Sequence, residues 1–177
     1  MMRLCRNYWY KSLEVVKPKL NITRQVYEFI VRTTKDSPRV ETGGILMGRD
    51  IKPLTVDVTH ASLPGPKAYH SSTKFLRDTE YCSKVLQEHY EKYGVDYVGE
   101  WHSHIVPLRG VSGGDIATLT SIIYDPDYNF NAFACIVALL ENDKVELVGY
   151  IATKGYIYQV EIRVVDNDTV VSEERKE

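Results

Sequence analysis

One stretch restricts the fold of this chain more than any other: "FNAFACIVALL", residues 130–140. A bilayer span needs about 20 apolar residues, so this run is too short to cross a membrane. It ends in the turn-forming "ENDK", and it reads as a buried strand. The segments beside it alternate in the way of strands that pair with it. "KVELVGYIA" and "GYIYQVEIRVV" follow, with "ENDK" and "TKG" as hairpin turns. Upstream, "GGILMG" is a short apolar run between glycines, and "LTVDVTHA" alternates with period two and should pair with it. "VDYVGEWH" is a further strand. Residues 13–20 alternate weakly and suit an edge strand limited by Pro18.

Three segments carry helical spacing instead. From Thr23, the positions Val26, Phe29, Ile30 and Val31 repeat as a helix that ends near "TTKDSP". "KFLRDTEYCSKVLQEHYEKYG" places Phe75, Leu76, Tyr81, Val85, Leu86 and Tyr90 on one face and closes at Gly94. "DIATLTSIIY" is a third helix, stopped by "DPD". Between strands and helices, "LPGPKAYHSST" is a loop because two prolines and a glycine interrupt regular hydrogen bonding. The order β-α-β-β-α-β-α-β-β-β predicts a mixed α+β fold, a central mixed sheet covered by helices.

At 177 residues and 44% hydrophobic, the chain is expected to form a single domain over residues 1–177, its core at about 13–163 and a charged tail at 167–177. Its formal net charge of -2 gives no electrostatic reason to expect nucleic acid or an anionic membrane. Cys5, Cys82 and Cys135 are odd in number and widely spaced, which fits reduced thiols in a cytoplasmic protein. The first residues, "MMRLCRNYWYKSLEVV", lack the apolar core of a secretory signal.

The chemistry concentrates in "GEWHSHIVPLRGVSGGD", residues 99–115. At the end of a strand, His102 and His104 point to one face and can chelate one metal ion. A reversal through "IVPLRGVSGG" can return the Asp115 carboxylate beside them. Two nitrogens and one oxygen are three ligands for Zn2+, with the fourth position open to water, as in catalytic zinc sites. Such a site needs an acid beside the metal to take the proton of that water. Strand alternation offers Glu100, on the same face as the histidines. Glu41 is the other candidate, at the mouth of "ETGGILMG", where glycines permit close backbone approach. Sequence geometry alone leaves both open.

"S-G-G-D" is also a capping box, with Ser112 as N-cap and Asp115 reaching back, which needs no metal at all. It leaves the two histidines on one strand face unexplained. Trp101 and Ser103 should face away from the histidines, Trp101 into the core. Cys82 and His89 are seven residues apart on one helix, too far for a thiolate–imidazole pair. His60 and His89 read as ordinary, and His70 lies in the loop, where it would be free to meet substrate.

The pattern H-x-H, seven residues, S, two residues, D resembles the signature of the JAMM metallopeptidases, also called the MPN+ or JAB1/Mov34 family. The likeness runs over residues 23–160, and "ETGGILMG" is similar to the family's glutamate-bearing element. One departure is visible: the family commonly has proline directly after the second histidine, whereas Ile105 and Val106 precede Pro107 here.

The resemblance implies the JAB1/MPN (cytidine-deaminase-like) fold, with His102, His104 and Asp115 on zinc. It favours Glu41 as the base and gives Ser112 the developing oxyanion. It further implies cleavage after the C-terminal tail of a ubiquitin-like modifier or conjugated protein. "LPGPKAYHSSTKFLRDTEY" looks similar to bacterial JAB proteins that accompany E1- and E2-like conjugation enzymes, including those of CBASS-type anti-phage operons. Two related roles stay open: processing a ubiquitin-like sulfur carrier, or serving as a non-catalytic MPN scaffold. A scaffold typically lacks a ligand, and none is missing here. A zinc deaminase would need a P-C-x-x-C segment, which the chain does not contain.

Overall fold

The structure, a computed structural model, describes residues 17–51, 54–105 and 108–166. Among these residues it is mixed α+β, with three helices and a large mixed sheet. The strands are β1 (Lys19–Thr23), β2 (Gly43–Ile51), β3 (Thr55–Ala61), β4 (Tyr69–His70), β5 (Phe75–Leu76) and β6 (Asp96–His104). They continue with β7 (Phe133–Glu141), β8 (Lys144–Thr153), β9 (Tyr156–Val160) and β10 (Ile162–Val165). The helices are α1 (Arg24–Asp36), α2 (Thr79–Tyr93) and α3 (Gly113–Tyr124). Eight strands form one sheet in the order β10-β1-β3-β2-β6-β7-β8-β9, while β4 and β5 pair with each other.

Strand β7 shows why the sequence had to fold this way. Ala134, Ile136 and Ala138 pack into a cluster with Leu20, Ile22, Val58, Trp101 and the α1 residues Val26 and Ile30. The alternate residues Phe133, Cys135, Val137 and Leu139 pack with Leu119 and Ile123 of α3. Both faces of the strand are therefore covered, and a continuous apolar run is the result. A third cluster joins Ile45 and Met47 of β2 to Cys82 of α2, so α1 covers one face while α2 and α3 share the other.

The helix ends follow local chemistry. The Thr23 hydroxyl caps α1 by accepting the Val26 N–H, and the Asp78 carboxylate caps α2 by accepting the Tyr81 N–H. Gly94 closes α2 at φ 64, a left-handed conformation that glycine adopts without strain.

Four expectations need correction. The weak first strand is Lys19–Thr23, and it is not an edge: β10 pairs on one side of it and β3 on the other, both in parallel. Residues 13–16 of the expected range lie outside the described residues, as do Cys5 and the 167–177 tail. "GYIYQVEIRVV" is not one strand. It breaks at Glu161, so that β9 pairs with β8 while β10 crosses to β1 at the far end of the sheet. Phe75 and Leu76 are not helical but form β5, because the Asp78 cap starts α2 after them. Within α2, Tyr90 is 55% exposed and Cys82 is the buried residue, so the buried face of the helix is narrower than the apolar spacing suggested. The proline-rich loop, finally, contains β4. Among the described residues no helix is long and apolar enough to cross a membrane.

Candidate metal centre

His102 and His104 lie at the end of β6, between β2 and β7 and on the side covered by α2 and α3. A register shift between Leu46 and Met47 of β2 falls opposite Tyr97–Gly99. It places Tyr97 and Glu100, three residues apart, on one face, so strict alternation holds only downstream of it. There the expectation is met. Trp101 packs in the opposite core and donates its indole N–H to Ser62 O at 3.2 Å. The hydroxyl of Ser103 accepts the Thr42 N–H at 3.0 Å.

Three candidate ligand groups converge. His102 Nε2 and His104 Nε2 are 3.1 Å apart. Asp115 Oδ1 lies 3.3 Å from His102 Nε2, and Oδ2 lies 3.6 Å from His104 Nε2. With metal–ligand bonds of about 2.0–2.1 Å, the edges of a tetrahedron are about 3.3 Å, and the His102–His104 and His102–Asp115 Oδ1 separations lie close to that length. Among the described residues these three form the group of histidine, cysteine and acidic side chains able to share one ion, all ligand atoms within 4.8 Å of one another. The donor set of two imidazoles and a carboxylate fits a divalent zinc-like cation.

The surroundings orient each ligand. His104, 4% exposed, points its Nδ1 at Leu108 O, 3.4 Å away. A carbonyl only accepts, so Nδ1 carries the proton there and Nε2 keeps its lone pair for a metal. Asp115 sits in the first turn of α3. Its Oδ2 accepts the Ser112 N–H at 2.6 Å, and its own N–H is donated to Ser112 Oγ at 3.1 Å. The capping box and the candidate metal centre are thus one arrangement: the cap aims the carboxylate. Burial opposes the Asp115 charge, but the bonds from His102 and His104 outweigh it and hold its pKa far below the ordinary carboxylate range. Burial also opposes a charge on His104, yet Asp115 and Glu41 prevail and raise its pKa. Ile105 stands directly after His104, where the JAMM pattern has proline, and Val106 and Pro107 beyond it lie outside the described residues.

The two acidic candidates are separated by their environments. Glu100 is held by an ion pair with Arg77 and accepts the Tyr97 hydroxyl at 2.6 Å. Glu41, 6% exposed, is not one of the three converging groups but feels the charges of His104, His102 and Asp115. Burial, the largest influence, raises its pKa against the pull of the two histidines. Gly43, two residues on, is required by space: a Cβ there would collide with Trp101 O and stand 2.7 Å from Phe75 Cε1.

Sequence reasoning missed what holds Glu41. Its N–H donates to Ser71 O at 2.7 Å, and its carbonyl lies 2.8 Å from His70 Nδ1. His70 is therefore bound to the backbone of the site rather than free in a loop. His60 and His89 lie apart from the centre, their rings 5.1 Å from each other. The Nδ1 of His89 bonds Val85 O, and Cys82 meets Ser62, so no thiolate–imidazole pair forms.

No protein-family model matches the chain. A curated protein of Enterobacter hormaechei subsp. hoffmannii (strain UCI 50), named CD-NTase/cGAS isopeptidase, is 34% identical over 89 residues, 50% of this chain and 49% of that protein. The match thus spans about half the length of the curated relative. The solution structure of protein DSY2949 from Desulfitobacterium hafniense superposes with a TM-score of 0.63 at 19% identity, covering 84% of this chain and 94% of that one. That likeness concerns the fold alone.

Proposed function

We propose that this chain is a zinc-dependent isopeptidase of the JAMM type, which releases a protein joined to another through its C-terminal tail. The observation that carries the reading is the convergence of His102 Nε2, His104 Nε2 and Asp115 on one point, with the buried Glu41 beside them but outside the ligand set. The partial likeness to a CD-NTase/cGAS isopeptidase supports the reaction class. Its name also suggests a nucleotidyltransferase of that kind as the conjugated partner, while the resemblance of the sequence to JAMM proteins implies a ubiquitin-like protein instead, with E1- and E2-like enzymes as the source of the conjugates.

When bound, the cation would supply Lewis acidity, making water a nucleophile near neutral pH and polarising the scissile carbonyl. The residues of the chain supply the rest. His102, His104 and Asp115 would hold the ion and leave one side open. The Glu41 carboxylate, made more basic by burial, accepts a proton from the attacking water and delivers it to the departing lysine amine. Ser112 Oγ uses a lone pair to accept the Asp115 N–H, and its hydroxyl proton remains to be donated to the developing oxyanion.

The test is to purify the protein, measure its zinc, and incubate it with isopeptide-linked conjugates from its native host. Loss of a conjugate with release of both proteins intact, abolished by chelation, supports the reading. A protein that binds no zinc and cleaves nothing overturns it.

A further inference from the structure

The β4–β5 hairpin has two residue pairs, Tyr69 with Leu76 and His70 with Phe75. A hairpin this short is marginal by itself. It is nonetheless anchored at one residue, Glu41, from both sides: the Glu41 N–H donates to Ser71 O at 2.7 Å, and the Glu41 carbonyl meets His70 Nδ1 at 2.8 Å. Because the carbonyl only accepts, His70 Nδ1 is the donor and carries the proton. We infer that His70 is a positioning residue: its imidazole, bound to the Glu41 backbone, fixes where the Glu41 carboxylate stands relative to the metal ligands. The inference rests on the isopeptidase reading above and names a device of that same site.

Three further contacts support it. The next residue, Thr42, is stitched to Ser103, the residue between the two histidines. Thr42 N–H donates to Ser103 Oγ at 3.0 Å, and Ser103 N–H donates to Thr42 O at 2.7 Å. A continuous hydrogen-bonded frame therefore runs from the hairpin through Glu41 and Thr42 to the strand that carries the ligands. The His70 ring is itself held against Phe75, with centroids 5.4 Å apart. Phe75 in turn occupies space that only a glycine at position 43 leaves free, since a Cβ there would lie 2.7 Å from its ring. Gly43 thus lets the hairpin close down beside Glu41. On the Ser103 side the frame is built into the sheet; on the other it depends on one imidazole and one carbonyl of a two-pair hairpin.

The predicted consequence separates ring packing from hydrogen-bond donation. His70→Phe keeps an aromatic ring against Phe75 but has no donor. His70→Asn loses the ring but offers a side-chain N–H in nearly the same place. With the conjugate cleaved by the parent protein, His70→Phe should retain zinc and KM while kcat falls about 10- to 100-fold, the scale of a small misplacement of a reacting group. His70→Asn should recover most of the loss. Two measurements need no substrate. Amide hydrogen exchange at Glu41 should accelerate in His70→Phe and return toward the parent rate in His70→Asn. Nitrogen-15 NMR should find His70 in the tautomer protonated on Nδ1.

Parental kcat and Glu41 exchange in His70→Phe, a His70→Asn variant as slow as His70→Phe, or a proton on Nε2 would overturn the inference. A parent protein that cleaves nothing overturns the isopeptidase reading and His70's role in that reaction, and exchange and tautomer then decide the tether itself.

Discussion

Ser112 and Asp115 bind each other reciprocally across the first turn of α3, through a 2.6 Å bond from the Ser112 N–H to Asp115 Oδ2 and a 3.1 Å bond from the Asp115 N–H to Ser112 Oγ. The carboxylate is thereby aimed at the two imidazoles, His102 and His104. Ser112→Ala removes half of this arrangement. It should lower stability by about 1 kcal/mol, the usual cost of a lost N-cap hydroxyl, measured as a urea midpoint. Cleavage should fall further than the cap explains, by about 100- to 1,000-fold, if the hydroxyl also serves the oxyanion. Ser112→Thr restores the cap, so a stable but inactive Thr variant would assign the loss to the site's shape and not to the hydroxyl.

Removing a ligand should act on zinc first. His102→Ala and Asp115→Ala each leave two of the three converging groups, and zinc affinity should fall by more than the 10- to 100-fold expected of a lost outer hydrogen bond, about the minimum for a direct ligand. Metal analysis after dialysis checks this. Chelation should abolish cleavage and zinc addition should restore it. Thiol alkylation should spare Cys82 and Cys135 and leave activity intact in a Cys5→Ser background, because burial raises the pKa of these two thiols and keeps them protonated.

What the sequence disclosed and what it hid follow from the range of each interaction. The double coverage of β7 is written in its own residues, since Ala134 and Cys135 must both be apolar when each faces a core. The His102–His104 pairing follows from strand alternation, and Ser112–Asp115 from helix-cap spacing, both local rules. The β4–β5 hairpin is too short to show a period. The Asp78 cap was readable, since "RDTE" puts Asp78 ahead of the acidic Glu80, yet the apolar Phe75 and Leu76 drew the expected helix start too far back. Nothing in a sequence marks a side-chain bond from His70 to a carbonyl 29 residues away, or the choice of Arg77 as the partner of Glu100. Those depend on how separate elements meet.

Stability should depend on pH through His60. Its ring stacks on Tyr93 at 4.6 Å and meets His89 at 5.1 Å, with the Thr59 hydroxyl 2.9 Å from Nδ1 and the Lys92 ammonium over the same tyrosine. Burial, and then the charge of His89, lower its pKa below the ordinary 6.5. The unfolded chain therefore binds this proton more readily than the folded one. The His60 contribution is fully present above pH 6.5 and is lost as pH falls from there through the folded pKa. Urea midpoints at pH 8 and pH 5.5 should drop more steeply in the parent than in His60→Phe, which keeps the stack without a proton site. Parallel slopes would show that His60 titrates alike in both states.

Glu41 and Glu100 give the sharpest division of roles, because both were open to the sequence and the structure treats them differently. Glu41 is buried next to the ligand set and carries a raised pKa, so Glu41→Gln should keep the fold and the zinc while cleavage falls about 100- to 10,000-fold, the range of a lost general base. Glu100 is committed to Arg77 and Tyr97. Glu100→Gln removes one charge of a largely buried ion pair and leaves the Arg77 guanidinium without its carboxylate, which should appear as lower stability. Zinc content should stay at the parent level, and cleavage measured well below the melting temperature should fall far less than in Glu41→Gln. Thermal unfolding, metal analysis and cleavage rate on the two variants together separate the roles. If Glu100→Gln loses cleavage at unchanged stability while Glu41→Gln cleaves at the parent rate, the assignment is reversed, and the proton passes through the residue that shares the histidines' strand.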